Sequence, residues 1–141
     1  RYFNDHYVKA ISRIGTPLFP RGRSGLADMV RHLRSGGMLG MLVDQHMGHG
    51  EELTFFDRPA LTALSAAELA LKYKALLVPT YAIRRADGLS FDIIVEAPIP
   101  EGTPEAMTQA LNDSLEALVR QHLDQWFWIH RRWKATARRQ G

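Results

Sequence analysis

Apolar residues recur along this chain with two different periods. Tyr7, Val8, Ile11 and Ile14 follow helical spacing behind a capping Asn4 or Asp5, and Gly15 stops the run. Thr16 to Pro20 has room only for a short extended piece, because its prolines cannot donate within a ladder. Ser24 opens a second helical pattern through Leu26, Met29, Val30 and Leu33, closed by Ser35-Gly36-Gly37. The unbroken run Met38 to Val43 then reads as a buried strand. A polar loop from His46 to Glu52 follows, then the apolar piece Leu53 to Phe56 and Asp57-Arg58-Pro59-Ala60 leading to the next helix. That helix runs to about Lys74, with Thr62 or Ser65 as cap and Ser65 and Glu68 at capping-box spacing. Ala75 to Arg84 and Phe91 to Glu96 flank the turn signal Ala86-Asp87-Gly88 and predict a β-hairpin. Thr103-Pro104-Glu105 opens the last helix, which carries Met107, Leu111, Leu115, Leu118 and Val119 to about Leu123. The sum is an α/β fold, a mixed sheet flanked by helices.

In such sheets ligands bind at the C-terminal ends of strands, and the 38–43 run delivers Asp44-Gln45 to such an end. His46 and Glu51, in the loop beyond, have the spacing of a histidine–acid dyad. Six histidines and 15 acids in 141 residues produce one such pair by chance about half the time, so the spacing by itself assigns nothing. A His46/His49/Glu51 metal site is not expected, because a glycine-containing loop is a poor preorganised cage.

Composition changes this picture little: 45% hydrophobic and 23% charged residues describe one globular domain of ordinary size. The absence of cysteine excludes disulfides, thiolate metal sites and a cysteine nucleophile. No apolar run approaches the roughly eighteen residues of a membrane span. Charge is more telling in its distribution than in its sum of +3. Residues 1–34 hold seven Lys/Arg against Asp5 and Asp28, and residues 120–141 hold six against Asp124. Basic ends around an acidic middle suit a protein that meets anions: phosphates, anionic headgroups or nucleic acid. A nucleic-acid module would use the basic, tryptophan-rich terminus for base stacking, but the aromatics are confined to one short segment.

Four segments, in order, resemble the lipid A biosynthesis (lauroyl/myristoyl) acyltransferase branch of the lysophospholipid acyltransferase superfamily. They are Gly15-Thr16-Pro17-Leu18-Phe19-Pro20-Arg21; Asp44-Gln45 with Phe55-Phe56-Asp57-Arg58-Pro59-Ala60; Val78-Pro79; and Gln125-Trp126-Phe127-Trp128-Ile129-His130-Arg131-Arg132-Trp133-Lys134. Arg1 falls on the arginine of a further block, in which Tyr2, Asp5 and His6 depart from the usual residues, and Asp57 stands where the branch has glycine.

The resemblance implies a partial glycerol-3-phosphate-acyltransferase-like fold, with residues 1–141 forming the C-terminal portion of a single acyltransferase domain. It implies acyl transfer from acyl carrier protein to a hydroxyl of a lipid A precursor at the cytoplasmic face of the bacterial inner membrane, without a cofactor, a metal or nucleic acid. Another glycolipid or a lysophospholipid is the alternative acceptor. The implied site has Asp44 in a supporting catalytic role, with Arg1, Arg21, Arg23, Gln45, Arg58, His130, Arg131 and Arg132 contacting substrate. Arg1, Arg21 and Arg23 would clamp phosphate bidentately, and His130, Arg131 and Arg132 would combine packing with contacts to headgroup phosphate or the acidic carrier. The branch's base, a histidine followed five positions later by Asp or Glu, precedes the position of Arg1, so the 141 residues alone are expected to bind without turnover. For Trp126 and Trp128 the sequence favours packing of the terminal segment against the core.

Overall fold

The computed structural model describes residues 2–13, 15–20 and 22–134. Contacts divide the chain into two compact units, 1–40 and 41–141.

The first unit holds two helices, α1 (Tyr2–Ile11) and α2 (Arg23–Arg34). Helix α2 starts one residue ahead of the expected Ser24, with Gly22 at the capping position and no side-chain cap. It ends as its sequence requires: Ser35 donates to the Arg31 carbonyl at 3.1 Å, and Gly36 takes a φ of 85° that glycine adopts without strain. The proline segment is laid against this helix. A Cβ at Gly25 would strike the Pro20 carbonyl, and the Phe19 and His32 rings lie 5.7 Å apart.

The second unit contains β1 (Glu51–Phe55), β2 (Arg58–Thr62), α3 (Ser65–Tyr73), β3 (Thr80–Arg84), β4 (Phe91–Val95) and α4 (Pro104–Gln121). β1 pairs antiparallel with β2, Glu51 opposite Thr62 and Phe55 opposite Arg58. β3 pairs antiparallel with β4, Thr80 opposite Val95 and Arg84 opposite Phe91.

The β3–β4 hairpin meets the sequence expectation. Asp87 Oδ1 accepts from the Leu89 and Ser90 amides at 2.9 Å each, and Gly88 has a φ of 72°. So does the start of α4, where Thr103 Oγ1 accepts from the Ala106 amide at 3.2 Å and Pro104 is the first helical residue.

Four expectations are corrected. The mixed sheet is replaced by two separate two-stranded antiparallel sheets. Met38 to Val43 forms no ladder among the described residues and leaves Met38 and Leu42 exposed. An apolar run becomes a strand only where a neighbouring strand takes up its amides and carbonyls, and none does so here. The β1–β2 hairpin was read as an apolar piece and a lead-in to a helix. Its two-residue turn is Phe56-Asp57, with φ of 53° and 54°, and so lacks the Asn-Gly or Asp-Gly signal of such turns. Finally, Ser65 and Glu68 form no capping box: the capping position is Leu64, whose carbonyl accepts from the Glu68 amide, and Thr62 belongs to β2.

The small side chains of α3 allow a close approach to α4: Ala67, Ala70 and Met107 are buried together, with Leu71, Leu77 and Ile99 against them. Helix α4 also closes the open edge of the β1–β2 hairpin with polar side chains. Gln109 accepts from the Thr54 amide (2.9 Å) and donates to the Thr54 carbonyl (3.0 Å), Asn112 donates to that carbonyl at 3.1 Å, and Glu116 accepts from the Phe56 amide at 2.5 Å. Gln125, beyond the helix, does the same for the Arg84 amide and carbonyl at 2.8 and 3.1 Å. Each exchange satisfies edge groups that would otherwise await another strand.

Candidate functional site

The end of β2 is the point on which the second unit's sequence motifs converge. Thr62 is buried and donates its hydroxyl proton to the Ala60 carbonyl at 2.9 Å, which leaves Oγ1 as an acceptor. Into it point Arg132 Nη2 at 2.6 Å and Asn112 Nδ2 at 3.4 Å. Arg132 Nη1 donates to the Leu61 carbonyl at 2.8 Å, and the same carbonyl accepts from the Met47 amide at 3.1 Å. Strand end, central loop and C-terminal segment therefore share two adjacent residues. The loop closes tightly there: Gly50 donates to the Met47 carbonyl at 2.8 Å, and a Cβ at Gly50 would strike the backbone of Thr62.

Arg132 is 1% exposed. Burial lowers its pKa, and the negative charge of Asp44 acts in the opposite direction. A buried cation requires compensation. Here it comes from two hydrogen bonds, the field of Asp44 and the face of Phe55, whose ring centre lies 5.5 Å from the guanidinium carbon. Its Nε is enclosed without a hydrogen-bond partner among the described residues. Asp44 itself is half-buried and Gln45 is exposed at the start of the loop.

Phe55 anchors the aromatic terminus. Trp133 stacks on it at 5.7 Å and donates its indole N–H to the Phe55 carbonyl at 3.0 Å. Trp126 meets it edge-on at 5.4 Å, and Trp128 meets Trp126 at 4.6 Å and Phe56 at 6.0 Å. Packing of Trp126 against the core agrees with the sequence expectation, whereas Trp128 touches the cluster by its edge and remains 46% exposed. Arg58 lies over the Trp133 ring at 5.4 Å, and Arg120 over Phe56 at 4.7 Å.

The structure thus brings together Asp44, Arg132 and, through the aromatic cluster, Arg58. Gln45 and Arg131 are exposed, and His130 is half-buried with its amide on the Phe127 carbonyl at 3.1 Å. Arg1, Arg21 and the side chain of Arg23 lie outside the described residues. His46 and Glu51 share no hydrogen bond or ion pair among the described residues, and His46 Nδ1 is enclosed without a partner. Sequence reasoning missed Thr62 and Asn112. The available signal was the pair Thr108 and Asn112, one turn apart beside the apolar stripe of α4 and both buried.

Residues 1–135 match the sequence model of a family described as bacterial lipid A biosynthesis acyltransferase. The chain belongs to this family. It is also similar to the phosphatidylinositol mannoside acyltransferase of Mycobacterium tuberculosis (strain CDC 1551 / Oshkosh), with 25% identity over 120 residues; the same protein of a second strain matches equally. The aligned region covers 84% of this chain and 38% of each relative, so the chain spans well under half the length of the curated relatives it matches. In family terms, the DQ segment, the FFDRPA segment and the tryptophan-rich HRRWK segment, separate in sequence, meet around Leu61-Thr62. No described helix is long and apolar enough to cross a membrane.

Proposed function

We propose that the protein carrying this chain transfers a fatty acyl chain from acyl carrier protein to a hydroxyl of a lipid A precursor at the inner membrane surface, within a glycerol-3-phosphate-acyltransferase-like fold. Family membership supports acyl transfer. The observation that carries the reading to particular residues is the buried Arg132, which ties the HRRWK segment to β2 beside the loop of Asp44.

In this reaction the acceptor oxygen attacks the thioester carbonyl, its proton passes to a base, and the carrier thiolate leaves. Asp44 is the chain's contribution near the reacting groups, as a carboxylate that orients the acceptor or the base. Arg132 is a positioning residue that acts through the loop. His46 and Glu51, the pair with dyad spacing, share no hydrogen bond or ion pair among the described residues, and we propose that the 141-residue chain alone does not turn over. The name of the mycobacterial relative supports a second acceptor class, a glycan carried on a phospholipid.

The test is mass spectrometry of products formed by the full-length protein from acyl carrier thioester with lipid A precursors or phospholipid-linked glycans. An acylated lipid A precursor is the expected product. Asp44→Ala is expected to lower turnover at least about a hundredfold, with only a small drop in melting temperature as Arg132 loses the field of the carboxylate. A carboxylate at a loop end supports function more than core stability. No acylation of either acceptor class, or full turnover by Asp44→Ala, would remove this reading. Turnover by the isolated chain that His46→Ala abolishes would move the base to the loop.

A further inference from the structure

Between its packed Trp126 and Trp133 rings, the C-terminal segment carries an apolar turn that packs on little. Phe127 is 64% exposed, Ile129 83% and Trp128 46%, while the Trp128 indole N–H is fixed on the Leu123 carbonyl at 2.6 Å. The turn is therefore held in place from behind while its apolar tip faces out. Exposed cations surround it. Arg58 and Arg120 lie over the rings of the cluster to which Trp128 belongs, and Arg131 and Lys134 follow in the chain. The nearby acids are Asp124, Asp57 and Glu116, and the last two are already engaged by Arg120, at 3.7 and 2.6 Å. Arg58, Arg131 and Lys134 have no ion-pair partner among the described residues.

We infer that the Phe127-Trp128-Ile129 turn is a docking tip for an anionic lipid bilayer surface. A protein partner would need a broad complementary face, whereas a bilayer accepts a small protruding apolar tip without shape matching. Anionic headgroups are the counter-charge that the surrounding lysine and arginines lack. An indole with its N–H satisfied and its ring half-exposed suits the interfacial layer. The outward face of β3–β4, with Phe91, Ile93 and Val95, is also exposed and apolar, but among the described cations only Arg84 stands over it, at 4.5 Å from Phe91. The inference deepens the proposed lipid-acceptor reading. Binding is measured without acyl transfer, so either can fail alone.

The experiment is co-sedimentation of the 141-residue chain with vesicles of phosphatidylglycerol and phosphatidylcholine in equal parts, and with phosphatidylcholine alone. Quenching of tryptophan fluorescence by brominated lipid is read in parallel. Binding to the anionic vesicles with quenching is expected. It should weaken at least about tenfold in Phe127→Ser/Ile129→Ser and about fivefold for each of Arg131→Gln and Lys134→Gln. Ile93→Ser should bind as the parent does. All replaced side chains are exposed, and an unchanged circular dichroism spectrum shows that each variant folds. No binding by the parent, full binding by Phe127→Ser/Ile129→Ser, or an equal loss in Ile93→Ser would each overturn the proposal. So would unchanged vesicle binding in the double variant together with lost association with purified acyl carrier protein, which would assign the turn to the carrier.

Discussion

Arg132 and Thr62, seventy residues apart in sequence, are joined by a buried hydrogen bond of 2.6 Å from Nη2 to Oγ1. The hydroxyl is committed as an acceptor by its own donation to Ala60, so the bond needs both a guanidinium and a threonine. Thr62→Val keeps the shape, strands a buried charged donor, and should destabilise by about 1–3 kcal/mol. Arg132→Lys keeps the charge but cannot serve the Leu61 carbonyl and Thr62 Oγ1 together, with a loss of about 2 kcal/mol. Denaturant unfolding of both single variants and of Thr62→Val/Arg132→Met checks the coupling. Strictly additive losses would mean that the two residues do not act as a pair.

Asp57 sits at a φ of 54° in a hairpin turn, in the left-handed region that favours glycine, which is the residue the resembling family carries there. Asp57→Gly should raise stability by about 0.5 kcal/mol, the relief of steric strain slightly exceeding the extra chain entropy. Asp57→Val should lower it by about 1–2 kcal/mol, because a β-branched side chain resists positive φ. The Arg120 contact at 3.7 Å is exposed and adds little to either change. Thermal melts of the two variants that shift in the same direction would contradict this account.

Gln125 occupies both backbone groups of Arg84 at the edge of β3. Gln125→Ala should destabilise by about 1 kcal/mol and speed amide exchange at Arg84 more than at Ile83, whose pairing with Asp92 belongs to the ladder. Hydrogen exchange read residue by residue decides it. Unchanged exchange at Arg84 would show that the edge amide is protected by something else.

Tyr81 is half-buried on the α4 side of its hairpin, its hydroxyl 2.7 Å from Ser114 Oγ, which in turn donates to Glu96 at 2.6 Å. Burial raises the phenol above its usual 10.0, the Ser114 hydrogen bond pulls it back, and Glu96 adds to the rise. The fold thus favours the neutral phenol. Stability is unaffected below pH 10.0 and declines as the pH climbs from 10.0 through the raised folded-state value. Tyr81→Phe should cost about 1 kcal/mol at neutral pH through the lost hydrogen bond while flattening that alkaline decline. Tyrosinate absorbance and unfolding curves from neutral to alkaline pH test both halves. A decline of parental steepness in Tyr81→Phe would place its origin in another group.

The sequence by itself determined the features that depend on neighbours a few positions away. The stop of α2 at Ser35-Gly36, the Thr103-Pro104 start of α4 and the Asp87-Gly88 turn of β3–β4 are local contests between side chain and backbone, and each resolves as its residues dictate. The segments that mark the family were equally legible, because they are strings of residues. Only the tertiary structure decided what those strings touch. Arg132 reads as one of the substrate-contacting residues of the terminal segment but lies 1% exposed, because Thr62, Leu61, Phe55 and Asp44 assemble around it from elements 70 or more residues away. Met38 to Val43 reads as a strand and pairs with nothing among the described residues, while Phe56-Asp57 makes a hairpin turn without glycine because Glu116 and the tryptophans hold it there. Strand pairing and charge burial depend on which distant surfaces meet, and local composition carries no record of that.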